Sequence, residues 1–150
     1  MKLQKASRLA LYAVLELAGR PAGYLTAAGM AETYGISINH LGKVMRTLVR
    51  AGMVESVRGA KGGFQFSGDA RRTTLMDVIE LFETVGGPEG SAREPGEHTA
   101  AGRALGEVLD EIDQIAQATL RSITIATMLK LIGRRSASAA ARTPGERALP

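Results

Sequence analysis

The chain has 150 residues, 45% of them hydrophobic, only 4% aromatic and none tryptophan; that sizes it for one domain, or one small domain with an extension, around an aliphatic and mainly helical core. It contains no cysteine, which excludes disulfides, zinc thiolate sites, cysteine-ligated iron–sulfur clusters and thiol nucleophiles, and no apolar run approaches the roughly 20 residues that span a bilayer. The net charge of +4 is unevenly spread: between Ser37 and Arg72, Lys43, Arg46, Arg50, Arg58, Lys61, Arg71 and Arg72 face only Glu55 and Asp69, whereas acidic residues dominate from Thr73 to Gly133, so a polyanion-binding part is expected beside a part with another role.

The N-terminal "MKLQKASRLALYAVLELAGR" has the basic-then-apolar order of a signal peptide. Glu16 interrupts its apolar run, however, and no small-residue cleavage site follows, so it is read as a mature amphipathic helix over 7–18 with Ser7 as N-cap. "AAGMAETY" predicts a second helix, capped by Thr26 and stopped by a left-handed Gly35. In "ISINHLGKVMRTLVRAG", Ser37 is the expected N-cap and Gly52 the expected residue past the helix end. Leu41, Val44, Met45 and Leu48 form its buried stripe. Two short helices joined around a glycine match a helix-turn-helix.

Met53–Val57 and Gly63–Ser67 have the length of two hairpin strands, their register left open by the long tip between them. Thr74 and Asp77 predict a capping box that starts a helix through "LMDVIELFETV", ended by "GGP". Residues 86–98 read as an irregular linker. Over 99–133, Leu105, Val108, Leu109, Ile112, Ile115, Ala116, Leu120 and Ile123 keep helical spacing. A helix of that length reaches about 45 Å, beyond a domain built on residues 1–85, and a second copy of the chain is the simplest cover for its apolar stripe. The alternative is a helix folded back in two pieces, with Gly106 as the break. Residues 134–150 are expected to be a disordered tail.

Chemistry concentrates at two places. The second helix of a helix-turn-helix presents its N-terminal part to the major groove, which here offers Ser37, Asn39, His40 and Lys43, then Arg46 one turn on. Asn pairs bidentately with adenine, Lys with guanine, and Ser with a base or a phosphate; Ser37 alternatively only caps the helix, and His40 is alternatively an ordinary surface histidine. In the tip "SVRGAKGGFQF", Arg58 or Lys61 can enter the minor groove, where negative potential is concentrated. Gly59, Gly62 and Gly63 allow positive φ and close approach to a sugar–phosphate chain. The bland reading is a solvated hairpin carrying solubilising charge. "GAKGG" lacks the spacing and the Lys-Ser/Thr pair of a nucleotide-binding loop, and no acid/base pair, metal cluster or activated nucleophile appears, so no enzyme is expected.

Together, "ALYAVLELA", "GISINHLGKVM", "VRAGMVESVRGAKGGF" and "TTLMDVIELFE" resemble the Rrf-two (BadM-type) family of bacterial transcription regulators, over roughly residues 1–85. The resemblance implies a mainly α, winged helix-turn-helix domain over 1–85, followed by a long dimerisation helix, and a homodimer on a near-palindromic operator in double-stranded DNA. It places Ser37, Asn39, His40 and Lys43 at recognition-helix positions and Arg58 at the minor-groove position of the wing. Two departures stand out. Gly42 occupies a position where relatives often carry a longer side chain, and the three cysteines that cluster-binding members hold between residues 86 and 101 are missing. The implied protein is therefore a cytoplasmic, cluster-free regulator, a repressor in the family's usual manner, without cofactor or membrane partner and answering to a small molecule or a protein effector. The rival reading is a winged-helix module whose main partner is a protein.

Overall fold

The computed structural model describes residues 2–20, 23–59, 62–85 and 94–142. Three helices come first: α1 (Lys5–Ala18), α2 (Ala27–Tyr34) and α3 (Ile38–Arg50). Strands β1 (Val54–Val57) and β2 (Gly63–Phe66) follow, and then α4 (Leu75–Ile79), α5 (Ala100–Ser122) and α6 (Ile125–Ala141).

Thr26 and Ser37 cap α2 and α3 as expected, each side chain accepting from a backbone N–H three residues on. Gly35 ends α2 at φ 63°, a left-handed conformation that a Cβ would strain. The first helix departs from expectation. It starts at Lys5 after Gln4, whose side chain makes no cap bond, and Ser7 lies buried inside it. Capping is done at long range by Glu83, whose carboxylate accepts from the Gln4 backbone N–H at 2.9 Å and from the Ser7 hydroxyl. To bring Glu83 there, the chain leaves α-helical geometry after Ile79 and continues as turns, so α4 is shorter than the expected helix through Val85. The Thr74–Asp77 capping box is present in both directions.

The core gathers one face from each of α1 to α4 and the first turn of α6. Ala10, Ala13, Val14 and Leu17 of α1 meet Leu41, Met45 and Leu48 of α3, with Met30, Val54, Met76, Val78, Ile79 and Ile125 completing a cluster shut off from water. The hairpin is antiparallel, with Val54 opposite Phe66 and Val57 opposite Gly63. Leu25 adds a third edge, exchanging backbone hydrogen bonds of 3.0 and 2.9 Å with Phe64.

The single helix expected over 99–133 is instead two, and the break is at Ile123–Thr124, not Gly106. Ile123 and Thr124 are extended, and Thr124 pairs antiparallel with Thr74. The Leu75 N–H donates to the Ile123 carbonyl and the Ile125 N–H to that of Thr73, both at 2.9 Å. Thr124 then caps α6 by accepting from the Thr127 N–H. The backbone groups that a continuous helix would have satisfied internally find these partners instead. Past the break α6 packs back on α1, and it runs to Ala141, through residues that were expected to begin the disordered tail. The good helix former Ala, recurrent in "SASAAA", explains the extension; 143–150 lie outside the described residues, as do 86–93 of the expected linker. No residue of α5 is buried.

Ile125 joins the first turn of α6 to the core and is 0% exposed. Ile125→Ala is expected to lower the unfolding free energy by about 2–5 kcal/mol, read as a reduced urea midpoint with unchanged slope.

Candidate nucleic-acid interface

At 100° per residue, the buried stripe of α3 leaves Asn39, Lys43, Arg46 and Arg50 together on the opposite side, and all four are exposed. Four polar side chains, three of them cationic, thus share one face of a helix that starts on the surface. Ser37 sits at its N-terminus, where the hydroxyl oxygen accepts from the His40 N–H at 3.1 Å. That oxygen keeps a lone pair and its proton for a further contact.

His40 is neither an ordinary surface histidine nor part of the exposed row. It is half-buried, and its Nε2 is screened from solvent without a hydrogen-bond partner among the described residues. Its helical angle, beside the core stripe, puts it on the flank of α3. The sequence also gave no role to Ile38, a large aliphatic side chain 56% exposed at the first turn of α3.

The wing is fixed to this helix by the exit turn of α3. Gly52, at φ 72°, donates to the Val49 carbonyl, and the next N–H, of Met53, donates back to Leu48. This paired closure makes the path into β1 rigid. Ser67, just past β2, clamps the same turn through its hydroxyl, which donates to the Gly52 carbonyl at 3.1 Å.

Arg58 follows β1 directly and is exposed, at the base of the tip; Lys61 lies outside the described residues. The tip glycines divide by cause. Gly62 has φ 37°, so it answers a backbone requirement. Gly63 does not have positive φ; a Cβ there would stand 2.5 Å from the Leu25 carbonyl oxygen and 2.9 Å from the Tyr24 ring. Its smallness serves the pairing of the wing with Leu25, inside the protein.

Behind the turn of the helix-turn-helix, the Tyr34 hydroxyl donates to the Glu16 carboxylate of α1, which also lies 3.9 Å from Arg20. Burial, then the hydrogen bond and charge of Glu16, push the Tyr34 pKa well above the ordinary phenol value, which keeps this hydroxyl a donor across the physiological range. Away from α3 in sequence, α5 exposes Leu105, Val108, Leu109, Ile112 and Ile115, each more than half accessible.

The family described as "Rrf2: Iron-dependent Transcriptional regulator" matches residues 3–131. Among curated proteins, the chain is 49% identical over 133 residues to the HTH-type transcriptional regulator BadM of Rhodopseudomonas palustris, covering 88% of this chain and 83% of that one. Among solved structures, it is similar to CymR, the global cysteine regulator of B. subtilis, with TM-score 0.71 and 25% identity, over 87% of this chain and 98% of that one. IscR of T. potens matches with TM-score 0.68 and 26% identity, over 97% and 94%. The iron in the family description finds no fitting donors among the described residues. The chain has no cysteine, and no group of three His, Asp or Glu among the described residues is placed to hold a metal.

Because Gly63 is packed against Leu25, Gly63→Ala is expected to destabilise the protein by about 1–3 kcal/mol. The signature is local: amide hydrogen exchange at Leu25 and Phe64 should quicken more than in the α1–α3 core.

Proposed function

The chain belongs to the Rrf2 family and is a DNA-binding transcriptional regulator; from that premise we propose that it acts as a homodimeric repressor on a near-palindromic operator, without an iron–sulfur cluster. The observation that carries this reading is the exposed row Asn39, Lys43, Arg46 and Arg50 on a capped helix rigidly joined to a wing bearing Arg58. Asn39 and Lys43 lie nearest the helix N-terminus and read base edges in the major groove, as their hydrogen-bonding patterns allow. Ser37 binds a phosphate or base through its free lone pair and proton. Arg46 and Arg50, further along, neutralise phosphates and hold the register.

Arg58 or Lys61 enters the minor groove, and Gly62 shapes the tip. Gly63 supports this grip indirectly, by seating β2 against Leu25. His40, half-buried, holds the flank of the helix in place.

The homodimer forms through α5. Its apolar stripe is exposed over five residues, an unfavourable state for aliphatic side chains in water, and two such stripes in register remove both from solvent. Dimerisation doubles the reading head, which is why a palindromic site is expected. With no donors for a cluster, release from DNA answers to a small molecule or a protein effector. The chain works in the cytoplasm, where its DNA target is.

Two measurements test this reading. Genome-wide mapping of bound DNA followed by anisotropy titration on the recovered site should give affinity that falls steeply with salt. On that site Arg58→Ala should cost about 1–3 kcal/mol, and unchanged affinity would remove the wing from the interface. Placing a charge in the α5 stripe, Ile112→Asp, should convert a dimer to a monomer by light scattering; a dimer that persists would assign the contact elsewhere.

A further inference from the structure

Gly42 lies in the interior of α3, where glycine costs about 1 kcal/mol relative to alanine. Nothing inside the protein asks for it. It is not among the positive-φ glycines, and a Cβ built there would meet no atom within 4 Å. A helical glycine with open space in place of its side chain points to a requirement from outside the chain, from something that comes close to the backbone.

One turn earlier on the same side stands Ile38, four residues away and so directly beside it along the helix. Ile38 is 56% exposed although burying it would be favourable. The two make a step on the flank of the polar row, an aliphatic ridge next to a bare strip of backbone. Asn39, three residues before Gly42, and Arg46, four after it, border the step on its polar side, so a base read by Asn39 lies next to the step.

We propose that this step reads a thymine: Ile38 contacts the 5-methyl group, and Gly42 lets the edge of the base pairs approach the helix backbone. The inference rests on the operator reading above and specifies one position of that operator. The chemistry selects the base. In the major groove only thymine offers an apolar group; guanine, adenine and cytosine present donors or acceptors. Pressed against Ile38, those polar edges would lose water without gaining a partner. The thymine methyl loses nothing of the kind and gains burial.

The test uses the full chain and a random-sequence duplex pool. Duplexes enriched on the wild-type protein are resynthesised with deoxyuridine at each thymidine in turn, which deletes only the methyl. Wild-type protein should lose about four-fold in affinity, the worth of one buried methyl-sized group, at one thymidine per half-site. Ile38→Ala should show the same loss on the unmodified duplex and no further loss on the deoxyuridine one. Gly42→Ala should bind at least ten-fold more weakly while its melting temperature rises, because alanine favours the helix. If every thymidine tolerates the change, if Ile38→Ala remains sensitive to it, or if Gly42→Ala binds as tightly as wild type, the inference is overturned and the operator reading stands. If the wild-type protein enriches no sequence, the operator reading falls and this inference with it.

Discussion

Two backbone hydrogen bonds between Thr73–Leu75 and Ile123–Ile125 set the break between α5 and α6. Without them the apolar periodicity of 99–133 would run on as one rod. With them the chain becomes extended for two residues, and Thr74 and Thr124 each cap a helix on their own side of the pairing. The result joins three consequences that cannot be had separately. Ile125 enters the core, α6 returns to α1, and α5 touches α4 while keeping no buried residue. Arg121, bonded to Glu80 at 2.9 Å near the end of α5, adds a second fastening at the same corner, though an exposed pair of this kind contributes little energy by itself. The backbone pairing and Ile125 hold the corner.

That corner makes α1 the element on which the rest converges. Its N-terminus is capped by Glu83, in the turns that follow α4. Its middle supplies core contacts to α3 and α4, and its C-terminal half holds Tyr34, at the end of α2, through Glu16. The same helix therefore touches the segment that precedes α5, the turn of the helix-turn-helix, and α6. A shift of α1 cannot leave α3 where it was, because packed interiors move as units rather than deform smoothly.

The sequence was most legible where local chemistry and tertiary structure agree. Thr26, Gly35, Ser37, Gly52 and the Thr74–Asp77 box each act within a few residues, so residue type alone located five helix ends and with them the turn between α2 and α3. It was least legible where a distant partner takes over a local role. Ser7 looks like an N-cap and is a buried donor to Glu83, 76 residues away. Ile123 fits the periodicity of one helix and is extended because Leu75 claims its carbonyl. Gly63 resembles the other tip glycines, yet only the structure reveals Leu25 beneath it. Within the candidate site, the cationic row could be read from spacing, while the withdrawal of His40 and the exposure of Ile38 depend on how α3 is rotated against the core. No composition rule supplies that angle.

Charge does for orientation what packing does for shape. The exposed face of α3 and the base of the wing are cationic, whereas Glu107, Asp110, Glu111 and Asp113 are exposed on α5. A polyanion approaching at random is attracted by the first surface and repelled by the second, at ranges up to a Debye length of about 8–10 Å at physiological salt. The acidic residues thus act before any contact forms, disfavouring encounters in which DNA lies along α5 instead of α3. They also flank an apolar stripe, where like charges on two copies would repel across a dimer. That repulsion is bearable because the charges stay in water at the rim while the aliphatic side chains between them do not. The uneven distribution of a modest net charge is therefore one device with two effects: it attracts a polyanion to the exposed face of α3, and it repels one from the apolar stripe of α5.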